Sequence, residues 1–211
     1  MSEPDTTERI RVYSDYVCPF CYLGREALSQ YQATREEPLE IEWHPFDLRS
    51  HKRRADGTID TSVDDGTDEA YFEQATENVR QLQERYGVEM ELDLSRDIDS
   101  FDAQVLSYYL REHEDYGTWL AFDEAVFEAL WQDGRDIGDE AVLVELAASV
   151  GVDAEDVRSA LADETLAEEL REQFAAAQQQ GVSGVPTFVY GEYGARGAVP
   201  PEQLERLVEG V

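Results

Sequence analysis

Hydrophobic periodicity changes character twice along this chain, and those two changes limit the folds open to it more than any other feature. Arg9 to Tyr16 reads as a strand, and Leu39 to Phe46 alternates as a second, with Leu39, Ile41 and Trp43 on one face. Between them, from about Pro19 to Ala33, Leu23, Ala27, Leu28 and Tyr31 recur at helical spacing. Residues 50–67 are polar, rich in Asp, Gly and Thr, and read as a loop. The pattern then stays helical for over a hundred residues. Phe72, Ala75, Val79, Leu82 and Tyr86 lead into Gly87, a C-cap residue. Further helices are predicted from about Ser100 to His113, from Trp119 to Trp131, from near Asp139 and Asp153, and from Glu164 to Gln179. Strand character returns at Pro186 to Tyr190 and again near Ala195 to Ala198, and a helix from Pro201 to Glu209 ends the chain.

A strand–helix–strand unit has parallel strands and a right-handed crossover as a rule. The closely spaced pair of strands near the C-terminus predicts an antiparallel hairpin. Neither outer piece is large enough to fold alone, so the two are expected to complete one mixed four-stranded sheet of α/β class, βαβ followed by ββα. On this reading residues 1–65 and 181–211 form one discontinuous domain, and residues 66–180 an inserted helical subdomain on its flank.

Composition narrows the setting. Among 211 residues, Asp and Glu number 48 against 17 Lys and Arg, a formal net charge of −31, and Lys52 is the sole lysine. Self-repulsion of this size destabilises a compact state, and halophiles tolerate it. At about 1 M salt the Debye length is only about 3 Å, so surface carboxylates hardly feel one another. The acid is spread along the whole chain instead of forming a tail, which predicts a salt-rich cytoplasm such as that of a halophilic archaeon; the alternative is an acidic protein that binds cationic partners. A nucleic-acid partner needs a basic footprint and is not expected. The one basic cluster, Lys52-Arg53-Arg54, reads as a solvated loop. No apolar run approaches the roughly 18 residues of a membrane span. Met1 to Glu8 is polar and acidic, without the apolar stretch of a secretory signal, so a cytoplasmic location is expected.

The only two cysteines lie three residues apart, in Cys18-Pro19-Phe20-Cys21, between the first strand and the first helix. In a cytosolic protein a disulfide is as a rule catalytic or transient. The position supplies what thiol–disulfide exchange needs. Cys18 falls at the helix N-cap and Pro19 at the first helical position, where its missing N–H costs nothing. Cys21 lies about one turn on, and its backbone N–H is expected to aim back at the Cys18 sulfur. Helix-start donors favour an anion, and cysteines so placed have pKa values lowered to about 3.5–7.5 from about 8.5. Cys18 is therefore the candidate nucleophile, and the deeper Cys21 the candidate resolving thiol. Two other readings stay open at this point. One Cys-x-x-Cys is half of a zinc site, although His44, His51 and His113 lack the usual paired spacing. The pair could also be a plain buried couple.

The chain resembles the DsbA family of thioredoxin-fold oxidoreductases, in particular its FrnE-like branch. The resemblance rests on S-D-Y-V-C-P-F-C-Y-L-G from Ser14 to Gly24, on W-H-P-F-D-L, on L-W-Q-D-G-R-D-I-G-D, and on G-V-S-G-V-P-T-F-V near the C-terminus. It implies a thioredoxin-like sheet and a cis-proline at Pro186 facing the cysteines. It also implies backbone groups at Val185 that can pair with an extended substrate, and helices that flank a substrate groove. The implied activity is disulfide exchange with a thiol- or disulfide-bearing protein or small molecule, with no metal and no organic cofactor. Three departures matter. Phe20 stands where many members of the branch carry Trp, and neither Pro19 nor Phe20 brings a charge, whereas the strongly oxidising members carry His there. Related 2-hydroxychromene-2-carboxylate isomerases share the architecture, but commonly have Ser in place of the first cysteine and rely on a glutathione-type thiol. Finally, Phe101-Asp102-Ala103 is followed by Gln104, where some relatives have His. A thiol-dependent isomerase, and a redox-sensing or chaperone-like binding module, are the alternatives to an exchange enzyme.

Overall fold

The structure is a computed structural model, and it describes residues 7–54, 57–60, 62–63, 69–94 and 97–210. Strands β1 (Glu8–Ser14), β2 (Leu39–Pro45), β3 (Thr187–Tyr190) and β4 (Tyr193–Arg196) form one sheet in the order β2-β1-β3-β4. β1 and β2 are parallel, with Ile10 opposite Ile41 and Val12 opposite Trp43. β3 runs antiparallel to β1, and β3 and β4 make the expected hairpin, tightly turned at Gly191, whose φ of 57° suits a residue without Cβ. The N- and C-terminal pieces thus complete a thioredoxin-like mixed sheet.

Pleating sends alternate side chains to opposite faces. Ile10 and Val12 of β1 join Ile41 and Trp43 of β2 and Phe188 of β3 in the main core. They pack with Leu23, Ala27, Leu28 and Tyr31 of helix α1 (Pro19–Gln32) and with Leu204 of the last helix, α8 (Pro201–Glu209). Tyr13 faces the other way, and packs with Phe46 and with Ala177 of helix α7 (Glu164–Gln179). Leu23, Ala27, Leu28 and Tyr31 of α1 and Ile41 and Trp43 of β2 sit where the sequence periodicity puts them.

Between β2 and β3 lie α2 (Glu69–Tyr86), α3 (Phe101–His113), α4 (Tyr116–Trp131), α5 (Glu140–Ser149), α6 (Ala154–Leu161) and α7. α3 packs on α4, α6 and α7, and the main core runs without a break from the sheet into these helices. Asp139 and Asp163 cap α5 and α7 through their side chains, whereas Asp153 stands at the N-cap of α6 without a side-chain hydrogen bond. α4 begins three residues ahead of Trp119, because Asp115 accepts from the Thr118 amide and closes the first turn despite Gly117. Gly87 has the left-handed conformation (φ 69°) expected of a C-cap residue.

The stretch 50–67 departs from an open loop where it is described. Ser50–Lys52 is a 3₁₀ turn, and Arg53 and Ile59 form a single antiparallel bridge. Arg53 does not belong to a solvated basic patch. Its guanidinium is bound by Asp47 at 2.7 Å and Asp99 at 2.8 Å, and it lies over the Phe101 ring. It thereby ties the segment after β2 to the start of α3. The boundary at residues 65–66 lies outside the described residues. Among the described residues, no helix is long and apolar enough to cross a membrane.

Candidate active site

β1 ends at Ser14, and a turn over Asp15, Tyr16 and Val17 carries the chain to α1. The Cys18 amide closes this turn by donating to the Asp15 carbonyl at 3.1 Å. Cys18 is the N-cap of α1, with extended φ/ψ of −94° and 113°, and Pro19 opens the helix. The Cys21 amide does not aim at the Cys18 sulfur as its position in the sequence predicts. That N–H donates to the Cys18 carbonyl at 3.0 Å, not to the sulfur, and Cys18 makes no side-chain cap hydrogen bond. The first turn closes through i to i+3 backbone pairing, which takes up the donor. The Cys18 side chain turns instead to the opposite wall, where Sγ donates to the Val185 carbonyl oxygen at 3.7 Å.

That wall is the loop before β3. The Val185–Pro186 peptide bond is cis, as the resemblance implied for Pro186. Two hydrogen bonds steady the loop: Thr187 Oγ1 donates to the Gly184 carbonyl at 2.7 Å, and the Gly197 amide to the Pro186 carbonyl at 2.8 Å. Gly24, the sixth residue of α1, explains how helix and loop come so close. A Cβ built on it would lie 3.0 Å from Cγ of Pro186 and 3.1 Å from the Phe188 ring. Glycine at this position lets α1 pack directly on the loop that faces Cys18.

The two cysteines, Val185 and Pro186 are thus brought to one place from opposite ends of the chain. Pro19, Phe20 and Val185 are half-buried, Cys18 is 4% exposed and Cys21 is fully buried. Both cysteines are present as thiols. Burial pushes the Cys21 thiol well above the ordinary thiol range, and a hydrogen bond and charge from Cys18 add to the rise. A hydrogen bond with the Asp15 backbone works against it.

Beneath the motif lies a group that the sequence reading did not single out. Asp15 is buried, and its carboxylate collects four donors. Oδ1 accepts from the Val17 amide, the Ser100 hydroxyl and the Gln104 amide, and Oδ2 from the Leu48 amide at 2.9 Å. Burial raises its pKa from 3.8 to about 6 against the pull of these donors, with Asp47 pushing the same way. The signal available was one carboxylate in R-V-Y-S-D-Y-V-C, an otherwise weakly polar run leading into the motif. Gln104, at the position where some relatives have His, points into this cluster and also donates to the Phe46 carbonyl.

A second buried network braces α1 from the side. Arg25 donates from Nε and Nη2 to Asp123 of α4, at 3.2 and 2.9 Å. The Tyr16 hydroxyl lies 2.9 Å from both Asp123 and Ser107, and Trp119 donates to Ser107. Trp131 donates to the Tyr16 carbonyl at 2.8 Å, which fixes the turn before Cys18.

The histidines lie elsewhere. His44 stacks on Tyr13 in edge strand β2 and bonds Glu42, with its pKa lowered by burial, and His113 stacks on Tyr109. Among the described residues, no group of three or more His, Cys, Asp or Glu side chains is placed to hold a metal ion.

Comparison with known proteins agrees with this geometry. The chain is 30% identical over 204 residues to the uncharacterized protein YwbO of Bacillus subtilis strain 168, covering 96% of each. A probable DsbA oxidoreductase from Streptomyces coelicolor superposes with a TM-score of 0.75 at 28% identity, over 96% of this chain and 88% of that one. A 2-hydroxychromene-2-carboxylate isomerase superposes with a TM-score of 0.77 at 21% identity, over 93% of this chain and 92% of that one, a likeness of fold. The family model described as a DSBA-like thioredoxin domain matches residues 9–209. That span takes in both cysteines, the helices between β2 and β3, and the Val185–Pro186 loop, and the chain belongs to the DSBA-like thioredoxin domain family.

Proposed function

We propose that this protein is a thiol–disulfide oxidoreductase in which Cys18 attacks and Cys21 resolves. The observation that supports this best is the Cys18 sulfur itself, at the start of α1, with Cys21 one turn on and the Val185 carbonyl 3.7 Å away. In the forward direction the Cys18 thiolate attacks one sulfur of a substrate disulfide, R–S–S–R′. A Cys18–S–S–R bond forms, the substrate S–S bond breaks, and R′S⁻ leaves with the electron pair. Cys21 then attacks Cys18, expels RS⁻ and closes the Cys18–Cys21 disulfide. Both electrons come from the cysteine pair, so the exchange itself calls on no metal and no organic cofactor. The reverse sequence oxidises a substrate dithiol.

Val185 and Pro186 position the partner in this reading. The Val185 carbonyl, which now receives the Cys18 thiol, becomes available to a backbone N–H of an extended substrate, in the manner of an added strand. Pro19 and Phe20, uncharged and half-buried, give the cleft an apolar rim beside Cys18. The substrate is then a thiol- or disulfide-bearing molecule in the cytoplasm, with neither nucleic acid nor membrane as partner. Residues 66–180, as an inserted helical subdomain, flank the cleft.

The test is a pair of variants followed by a titration. Cys18→Ser is expected to abolish disulfide exchange, and Cys21→Ser to accumulate mixed disulfides that mass spectrometry detects. Unimpaired turnover by Cys18→Ser would refute the assignment. Activity that survives Cys21→Ser and demands an added small thiol would transfer the protein to isomerase chemistry. Titration of the wild-type pair against a defined thiol buffer in molar salt then gives the midpoint. The range to compare runs from about −270 mV for thioredoxin to about −120 mV for DsbA, and the midpoint decides whether the protein reduces or oxidises its partners.

A further inference from the structure

Tyr16 stands two residues before Cys18, so their Cα atoms are at most about 7 Å apart. Its phenol is 1% exposed, and its proton has a fixed destination. The Tyr16 hydroxyl lies 2.9 Å from both Ser107 Oγ and Asp123 Oδ1. Asp123, ion-paired with Arg25 at 2.9 Å, only accepts, so the phenolic proton points to Asp123. Ser107 Oγ already accepts from Trp119 Nε1 at 3.0 Å and gives its own proton to Tyr16. The row Trp119, Ser107, Tyr16, Asp123 therefore runs one way and ends on an anion.

Tyr16 is also the inner end of a row of oxidisable rings. It stacks on Trp43 of β2 with centroids 6.3 Å apart. Trp43 lies 6.4 Å from Trp119 of α4, and Trp119 lies 5.6 Å from Tyr116. Both indoles are buried, whereas Tyr116, the first residue of α4, is half-buried and reaches solvent. Filling the core asks only for apolar bulk, as Phe127 supplies beside Tyr16. The row from Tyr16 to Tyr116 instead holds only Tyr and Trp, the two ring types that give up an electron readily. A phenol does so only when its proton can leave with the electron, which Asp123 provides for at the inner end and water at the outer.

We propose that Tyr16, Trp43, Trp119 and Tyr116 carry one-electron oxidation away from Cys18, with Asp123 holding the Tyr16 proton, so that a thiyl radical at Cys18 is repaired before oxygen captures it. This activity lies beyond two-electron exchange and needs only the Cys18 thiol.

The electrons balance. An oxidant of the hydroxyl- or peroxyl-radical class removes a hydrogen atom from Cys18–SH and leaves Cys18–S•. Tyr16 gives one electron to that sulfur and its proton to Asp123, which yields Cys18–S⁻, Tyr16–O• and a neutral Asp123. Trp43 then reduces Tyr16, which takes its proton back from Asp123. Trp119 reduces Trp43, and Tyr116 reduces Trp119 and releases its proton to water. In sum, Cys18–S• and Tyr116–OH become Cys18–S⁻, Tyr116–O• and H⁺. A small hydrogen-atom donor of the ene-diol class restores Tyr116 from solvent.

The radical can be started at one atom. In Cys21→Ser, Cys18 is the sole cysteine, and S-nitrosation caps it. A laser flash in molar salt splits the S–N bond into Cys18–S• and nitric oxide, which a scavenger removes. Samples frozen directly afterwards are read by electron paramagnetic resonance. The expected spectrum is that of a phenoxyl radical. Adding Tyr16→Phe or Trp43→Phe should abolish the phenoxyl that ascorbate quenches, and Cys18 should go on to sulfinic acid, which mass spectrometry detects. Absence of any phenoxyl in the parent protein, or an undiminished signal with Tyr16→Phe, overturns the proposal. If the core variants do not fold, Tyr116→Phe at the half-buried end decides. Loss of the ascorbate-sensitive phenoxyl is then expected, and an unchanged signal overturns the proposal. The outcome for Cys18→Ser in disulfide exchange bears on the exchange reading alone.

Discussion

The pair of Arg25 and Asp123 shows what a single buried charge is worth in this protein. Arg25 is 7% exposed and Asp123 1%. Burial raises the Asp123 carboxyl, and Arg25 and Tyr16 hold it back. Removing one partner of such a pair leaves an uncompensated charge in the interior, at a cost of about 3–5 kcal/mol. Arg25→Ala should therefore destabilise the protein by that amount in guanidinium melts. It should also loosen the turn before Cys18, because Tyr16 loses a fixed partner. A loss under about 1 kcal/mol would mean that water or rearrangement replaces the guanidinium, and that the pair is not what braces α1. At this scale the sequence was only partly legible. Cys18 and Cys21 announce themselves by type and spacing. Asp15, Arg25 and Asp123 do not, since one acidic or basic residue among 65 carries no mark of burial.

Among the elements, the contact between α1 and the loop before β3 decides whether a Cys-x-x-Cys helix can face a partner. Gly24 permits that contact. Gly24→Ala gains up to about 1 kcal/mol in helix propensity and loses about 1–3 kcal/mol through overpacking against Pro186 and Phe188. The expected result is a net loss near 1 kcal/mol, together with slower formation of mixed disulfides as the loop moves away from Cys18. A variant more stable than the wild type, with unchanged exchange, would show that the close approach is not required. The helices themselves were read well from periodicity. Their ends were read less well where a cap decides them, as at Asp115 before α4. The role of Ser100 could not be read at all. It stands at the N-cap of α3, yet it spends its hydroxyl on Asp15 and not on its own helix.

For the whole molecule, charge is the dominant quantity. We propose that a net charge of −31 on 211 residues requires a salt-rich environment. The Debye length is about 3 Å at 1 M salt and about 10 Å at 0.1 M, so dilution exposes carboxylates to one another across the surface. Arginine side chains answer only part of that charge, in exposed pairs such as Arg158 with Glu140 and Arg171 with Glu168. Such pairs contribute at most about 1 kcal/mol each. Transfer from molar to low salt is expected to unfold the protein, as followed by far-ultraviolet circular dichroism. Undiminished helicity at low salt would remove the basis for the halophilic reading.

The sequence by itself determined the order of elements, the mixed sheet, and the place of the cysteine pair at a helix start. These are consequences of local periodicity, of proline and glycine positions, and of chain connectivity, all of which are written along the chain. The resemblance to a known family added the cis bond at Pro186, which periodicity does not encode. Only the tertiary structure decided what surrounds the sulfurs. It turned Cys18 towards Val185 in place of the Cys21 amide, seated Asp15 under the motif with Ser100 and Gln104, and made Arg53 a tie between segments instead of a solvated cation. Each of these depends on burial and on partners between about 45 and 170 residues away, and long-range pairing of that kind is set when the core closes, not by any neighbour in sequence.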